Sequence, residues 1–345
     1  MAVNEKELRR YLNVIERSVT LIKSMMDHDD DGVLEQLMSE QAVIAPPQMT
    51  PVLQPVPQTP VAPVVLVAPV IAPVAVVPEP PVLSPEALEA RRTHLQALRD
   101  IDCWPEAVGP YLVGKKASDE DQVNRANSVL DMMVDRSMEG KAFLDFGCGE
   151  GWITQEVVKR GVSEALGYDI KVDAKWGEKE GAKFTNEFST MPHQHFDFVM
   201  LYDVLDHCED PVDVMAKVRT VLKPEGTVFV RCHPWTSRHA THLYKQGLNR
   251  AYWHMFLSWD ELKEEIKDEP MFTRPEKDPV SAYRWWFNSF SIEKERLIQE
   301  DVSEFFLVSA FKELLASEQQ MSLEEVDGLL SRMRIQFADY VISLK

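Results

Sequence analysis

The sequence predicts an α/β fold built on a parallel β-sheet, and three observations support this. Residues 143–151 have the pattern of a buried apolar strand, an acid and then a G-x-G-x-G turn. A helical pattern follows the turn, and a second strand ends in Asp169, about twenty residues after the glycines. Strand and helix patterns then continue to alternate through residue 230, as in sheets whose helices connect parallel strands.

The glycine-rich turn predicts a site for a ribose-bearing ligand. Gly147 and Gly149 have no Cβ, so the backbone can turn tightly and approach a ligand closely. Asp169 is placed to accept hydrogen bonds from both ribose hydroxyls. NAD-dependent enzymes and S-adenosylmethionine (SAM) methyltransferases share this arrangement, so the turn alone leaves both classes open.

Later motifs favour the second class. Residues 196–207 give a strand that ends in a polar cluster, and residues 209–211 begin a helix. Residues 222–230 then give a helix stop, a Lys-Pro-Glu-Gly turn and a fifth strand. The order of these motifs resembles the class I SAM-dependent methyltransferases, and within them the small-molecule type that includes the ubiquinone-biosynthesis O-methyltransferases. The resemblance covers residues 120–345.

This resemblance implies a Rossmann-like, seven-stranded methyltransferase sheet with the last strand antiparallel, and SAM as cofactor. The glycine loop would pack against the methionine part of SAM, and Tyr202 would lie near the sulfonium. Glu187 stands where the family places a group near the adenine amino group, although the usual Gly-Asp pattern is absent. The cofactor-binding residues implied by the resemblance are Asp145, Gly147, Cys148, Gly149, Asp169, Ile170, Glu187, Tyr202 and Asp203.

Methyl transfer asks the protein mainly for alignment and desolvation, and a hydroxyl acceptor also benefits from a base. His207 and His233 follow the fourth and fifth strands and are the candidate catalytic bases. A helix cap or a buried structural role remains open for His207. The candidate substrate-binding residues are Trp235, Trp253 and His254, for which packing in an aromatic core is the alternative.

The histidine spacing predicts no metal site. His233, His239, His242 and His254 show no i, i+4 pair with an intervening glutamate, and no cysteine joins them at zinc-finger spacing.

The C-terminal part predicts the rest of the sheet. A sixth strand is expected within residues 292–306, one or two helices within 308–334 and a last strand over 335–344. In the family this last strand inserts antiparallel to the sixth.

The N-terminal part predicts an arm and a tether, followed by a methyltransferase domain over residues 84–345 whose first part, 84–137, supplies cap helices. Residues 1–44 carry a short coiled-coil seam, so self-association, a docking partner and an amphipathic helix folded back on the catalytic domain are all open. Residues 45–83 are rich in Pro, Ala and Val, and predict an extended linker. Their prolines exclude a membrane-spanning helix, because each removes a helical hydrogen bond.

Composition narrows the function further. The formal net charge of −19 disfavours nucleic acid as a partner, because phosphate binding draws on clustered Lys and Arg. Four cysteines, none in a C-x-x-C motif, and no signal peptide predict a cytoplasmic protein. The sequence therefore predicts methyl transfer from SAM to a hydroxyl of a small molecule. An inactive methyltransferase fold serving as an assembly scaffold, and an NAD-dependent oxidoreductase, are the alternatives.

Overall fold

A computed structural model describes residues 84–172, 178–266, 268 and 270–345. The predicted arm and linker, residues 1–83, lie outside this range. A boundary after Asp100 divides the chain into two units. In the first, the described residues include helix α1 (Pro85–Arg99). The Ser84 hydroxyl accepts a hydrogen bond from the Ala87 N–H at 3.3 Å, and a proline occupies the first helical position.

The second unit is built around one sheet. Its strands are β1 (Ala142–Phe146), β2 (Glu164–Tyr168), β3 (Glu178–Lys179), β4 (Ala182–Thr185), β5 (Phe196–Tyr202), β6 (Leu222–Cys232), β7 (Phe290–Gln299) and β8 (Ile335–Leu344). Its α-helices are α2 (Asp119–Met133), α3 (Trp152–Val158), α4 (Pro211–Val221), α5 (Trp259–Glu265), α6 (Pro279–Trp286), α7 (Ser309–Glu318) and α8 (Leu323–Met333). The strand order is β3-β4-β2-β1-β5-β6-β8-β7.

The strand directions confirm the predicted sheet. Strands β4, β2, β1, β5 and β6 run parallel to their neighbours. Strand β8 lies between β6 and β7 and is antiparallel to both. The last strand has the predicted bounds, whereas β7 begins two residues earlier and ends well before residue 306.

The sheet has eight strands rather than the predicted seven. The additional strand, β3, has only two residues and pairs antiparallel with β4. A two-residue turn of Glu180 and Gly181 joins them, with φ angles of 51° and 83°. Positive φ at both turn residues is the geometry that favours tight hairpins. Two residues are too few to show the alternation of apolar and polar side chains that marks a strand. The sequence prediction missed β3 for that reason.

The central strands β1, β5 and β6 are buried on both faces of the sheet. Alternate residues of β1 point to opposite sides, so Phe143 joins a cluster with Leu130 of α2 and Val157 of α3. Leu144 joins the cluster on the other face, which contains Val218 of α4. Helices therefore cover both sides of a central sheet, as the near-continuous apolar strands require.

This arrangement brings the carboxyl ends of the five parallel strands to one edge, where open α/β sheets bind their ligands. The segments that follow β1, β2, β5 and β6 all begin at that edge. Among the described residues, none of the helices has the length and apolar composition needed to cross a membrane.

Candidate active site

The glycine loop after β1 is held against the end of β2. The N–H groups of Gly147 and Cys148 both donate to the Tyr168 carbonyl, at 2.6 and 3.0 Å. Gly147 has a φ of 83°, and a Cβ at this position would lie 2.4 Å from Val204, just beyond β5. The loop therefore makes close contact with the end of β5, and only glycine fits there.

Gly149 faces open space. Its φ is 53°, and a Cβ built on it would meet no atom within 4 Å. Its N–H donates to Asp169 Oδ2 at 3.0 Å, while the Lys171 N–H donates to Asp169 Oδ1 at 2.9 Å. Two backbone donors thus fix the Asp169 carboxylate beside an open glycine, and each oxygen keeps a further lone pair for a ligand hydroxyl.

Asp145 is buried at the end of β1 and does not face solvent. Its Oδ2 accepts a hydrogen bond of 2.7 Å from the Thr154 hydroxyl on α3. The pKa of Asp145 is raised to about 7, chiefly by burial and also by the nearby Asp169, against the opposing effect of the Thr154 hydrogen bond. Burial also raises the pKa of the Cys148 thiol, so this cysteine is a packing residue rather than a nucleophile.

Two further predicted cofactor residues are exposed at the same sheet edge. Ile170 follows β2 and is 76% exposed, which is unusual for a branched apolar side chain. Glu187 follows β4 and is also exposed. Because Tyr168 and Thr185 are register partners on parallel strands, Ile170 and Glu187 emerge at neighbouring points. Their contact with adenine stays a prediction.

Tyr202 and Asp203 end β5 on the other side of the glycine loop. Asp203 has a φ of 62°, a left-handed conformation that is uncommon outside glycine. Its N–H donates to the Arg231 carbonyl of β6 at 2.9 Å, which holds this turn in place. The conformation turns the Asp203 side chain toward three histidines from later segments.

These four residues, Asp203, His207, His233 and His242, are called the histidine cluster here. His207 Nε2 and His233 Nδ1 lie 3.4 and 3.6 Å from Asp203 Oδ1. His242 Nε2 lies 3.6 Å from Asp203 Oδ2. The His233 and His242 rings have centroids 4.9 Å apart, and those of His207 and His242 are 5.4 Å apart.

His207 is oriented by a backbone group. Its Nδ1 donates to the Phe272 carbonyl at 2.8 Å, which leaves Nε2 directed at Asp203. Burial lowers the pKa of His207, but the Asp203 carboxylate outweighs burial and raises it above its ordinary value. Burial likewise opposes ionisation of Asp203, yet the nearby imidazoles of His207 and His242 hold its pKa well below the usual range.

His233 and His242 are kept neutral by their surroundings. Burial lowers the pKa of His233 well below its ordinary value, against the attraction of Asp203. Burial also lowers the pKa of His242. The backbone at His233 is fixed by Asp206, whose Oδ2 accepts its N–H at 2.7 Å. Asp206 Oδ1 accepts the hydroxyl of Tyr283 at 2.7 Å, so this carboxylate is directed away from the cluster.

The three predicted substrate residues lie deeper than expected. Trp253 is fully buried and packs edge-on against Trp104, with ring centroids 4.9 Å apart. His254 is buried, and its Nε2 lies 2.7 Å from the Trp235 carbonyl. Trp235 itself is also buried. Their packing positions count against direct contact with an acceptor, and substrate binding by Trp235, Trp253 and His254 stays a prediction.

Sequence reasoning missed the roles of His242 and Asp206. The sequence drew attention to His242 only through its spacing from other histidines. The backbone of His242 itself is left-handed, with a φ of 51°, and this conformation brings its side chain to the site. The spacing of Asp203 and His207, four residues apart, was the available signal for the cluster.

Comparisons with known proteins agree with this architecture. The family model described as a methyltransferase domain matches residues 119–287. The ubiquinone biosynthesis O-methyltransferase of Aeromonas salmonicida is 27% identical over 114 residues, covering 29% of this chain and 48% of that protein. The corresponding protein of Methylococcus capsulatus is 31% identical over 104 residues, covering 27% and 44%. The chain thus spans about half the length of the curated relatives it matches.

Solved methyltransferase structures are also similar. An S-adenosylmethionine dependent methyltransferase from Mesorhizobium loti is 18% identical, with a TM-score of 0.38, covering 62% of this chain and 95% of that one. Three observations point to the same family. They are the order and directions of the strands, the glycine loop followed by Asp169, and the match to the family model. Residues 119–287 therefore form a class I methyltransferase domain, of the kind that uses SAM as its cofactor.

Proposed function

We propose that this protein transfers the methyl group of SAM to a hydroxyl of a small molecule. The proposal is carried by three segments that meet at one edge of the sheet. They are the glycine loop after β1, the segment after β2 that contains Asp169, and the segment after β5 that contains Val204. The glycine loop is fixed to Asp169 on one side through the Gly149 N–H and touches Val204 on the other. The predicted cofactor residues and the histidine cluster therefore adjoin each other.

The residues divide into a cofactor side and an acceptor side. Asp169 would accept from the ribose hydroxyls, and Ile170 would pack on the adenine. Asp145 and the glycine loop would hold the methionine part, with Tyr202 and Asp203 beside the sulfonium. His207 and His233 lie on the acceptor side, where a base assists a hydroxyl nucleophile.

The reaction is an in-line displacement. The acceptor oxygen forms a bond to the methyl carbon, and the carbon–sulfur bond breaks with its electron pair passing to sulfur. The hydroxyl proton passes to a base, for which His207 and His233 are the candidates. The products are the methyl ether and S-adenosylhomocysteine. Alignment and exclusion of water supply most of the acceleration.

Two other observations support this choice. The relatives are O-methyltransferases by name, which favours oxygen over nitrogen as the acceptor atom. All four cysteines lie within the described residues and are free thiols, which supports the proposed cytoplasmic location.

The first test is isothermal titration of the full chain with SAM, beside an Asp169→Ala variant. We expect micromolar binding in the wild type and a loss of at least about tenfold in the variant, because a ribose contact is removed. Asp301→Ala is the matched control, since Asp301 is 91% exposed in its side chain and pairs with Arg334. Screens with hydroxylated and amine acceptors then identify the atom methylated.

The outcomes separate the alternatives. A folded protein that binds neither SAM nor S-adenosylhomocysteine would overturn the proposed activity and support an assembly scaffold. SAM binding with transfer only to amines would keep the enzyme class and reject the hydroxyl acceptor.

A further inference from the structure

The histidine cluster converges on one point. One ligand atom from each of Asp203, His207, His233 and His242 lies within 4.8 Å of the corresponding atoms of the other three. These residues come from two segments that follow neighbouring strands, β5 and β6. The chain fold, not the local sequence, brings them together.

The polar atoms at this point lack partners. Both ring nitrogens of His233 and both of His242 make no hydrogen bond among the described residues, and the same holds for Asp203 Oδ1 and His207 Nε2. His233 is only 1% exposed, so solvent does not compensate. Leaving a buried polar atom unsatisfied costs about 1–3 kcal/mol, so several at one point call for a ligand.

The distances fit a metal better than hydrogen bonds. Charge-assisted hydrogen bonds between nitrogen and a carboxylate are about 2.7–2.9 Å long, whereas the three histidines stand 3.4–3.6 Å from Asp203. In a tetrahedral zinc site with bonds of about 2.1 Å, neighbouring ligand atoms are roughly 3.4 Å apart. We infer that Asp203, His207, His233 and His242 form a binding site for one divalent transition-metal ion of the zinc class.

The ligand set points to this class of ion. Imidazole nitrogens favour zinc, iron, nickel and copper, whereas magnesium and calcium prefer sites made entirely of oxygen. Three imidazoles and one carboxylate therefore select a transition metal. Zinc accepts this mixture at four-coordinate geometry without a redox change.

Supporting groups around the cluster resemble those of metal sites. The Phe272 carbonyl accepts from His207 Nδ1, which fixes the ring with Nε2 toward the centre. Asp206 fixes the His233 backbone and is itself held by Tyr283. Outer contacts of this kind orient ligands and strengthen metal binding.

Metal binding also bears on the acceptor, and this part rests on the proposed function. With four protein ligands in place, the metal would take an acceptor hydroxyl as a fifth ligand beside Asp203, and as a Lewis acid it would lower the pKa of that hydroxyl. The ion would then do the work otherwise assigned to a free histidine base.

The test uses the full chain, stripped with a chelator and titrated with Zn²⁺ or Co²⁺ alone. We expect one ion per chain by elemental analysis, a higher melting temperature with metal, and visible Co²⁺ absorption characteristic of nitrogen and oxygen ligation. His242→Gln and Asp203→Asn should each weaken binding by more than about 100-fold, beyond the 10–100-fold effect typical of losing an outer contact. Circular dichroism establishes that each variant is folded.

His195→Gln is the matched control. His195 also pairs with a carboxylate, Glu164, at 2.7 Å, but it precedes β5 and so lies at the opposite edge of the sheet. It should leave metal binding unchanged. Less than one ion bound by the folded wild type, or unchanged affinity in both cluster variants, would overturn the metal site. SAM titration of the stripped protein is independent of these results, so a failure of the proposed activity is told apart from a failure of the metal site.

Discussion

Arg231 of β6 and Asp339 of β8 lie opposite each other on antiparallel strands and form a buried, bidentate ion pair. The Arg231 Nε and one terminal nitrogen donate to the two Asp339 oxygens at 2.6 and 2.7 Å. Arg296 of β7 also donates to Asp339. The pair joins the inserted last strand to the parallel part of the sheet, two residues before His233 of the histidine cluster.

We predict that Asp339→Ala strongly destabilises the protein. The substitution leaves the Arg231 guanidinium buried without its main counter-charge, and breaking a buried pair in this way costs about 3–5 kcal/mol. Urea denaturation measures the free energy of unfolding. Arg296→Gln is the control, because its side chain is 44% exposed, and it should cost no more than about 1 kcal/mol. Equal losses in both variants would contradict a special role for the Arg231 pair.

A second prediction separates ligand binding from backbone strain in the glycine loop. Gly149 and Gly140 both have positive φ, 53° and 70°, and an added Cβ meets no atom within 4 Å at either position. Gly149→Ala and Gly140→Ala should therefore each destabilise by about 1 kcal/mol. Only Gly149→Ala should weaken SAM binding, because its methyl group occupies the open space beside Asp169. Titration calorimetry checks both; equal SAM affinities would place the cofactor elsewhere.

The fold was largely predictable from the sequence because its signals are local. The apolar strand before Asp145, the glycines after it and the spacing to Asp169 each depend on neighbouring residues. The last strand matched its predicted bounds for the same reason. Strand β3 escaped prediction because two residues carry no periodic pattern.

The site was less predictable because it depends on tertiary contacts. Cofactor residues follow a short motif, but the histidine cluster joins residues separated by up to 39 positions, from Asp203 to His242. Sequence spacing alone gives no distance between such residues. Aromatic residues such as Trp253 were expected at the cleft, yet the fold places this side chain at zero exposure.

A third prediction concerns the buried contact between Tyr283 and Asp206. Tyr283→Phe removes the hydroxyl that donates to Asp206 Oδ1, and both side chains are fully buried. We expect a loss of about 1–3 kcal/mol in the free energy of unfolding, because a buried carboxylate oxygen loses its donor. Thermal melting followed by circular dichroism measures this. Tyr111→Phe, at a side chain that is 74% exposed, should have no measurable effect.

The last prediction concerns the pH dependence set by Asp145. Burial raises its pKa from 3.8 to about 7 in the folded protein. Between pH 3.8 and 7, Asp145 keeps its proton in the folded state and has lost it in the unfolded state. The contribution of Asp145 to the free energy of unfolding is therefore largest below about pH 4. As the pH rises toward 7, this contribution to stability falls by about 4 kcal/mol in total, and above pH 7 it stays level. Asp145→Asn removes this titration and should flatten the difference in the free energy of unfolding between pH 5 and 8, as measured by urea denaturation. Asp301→Asn removes one exposed carboxylate and so corrects for the change in net charge. A slope in Asp145→Asn equal to that of the control would show that Asp145 is ionised in the folded protein across this range.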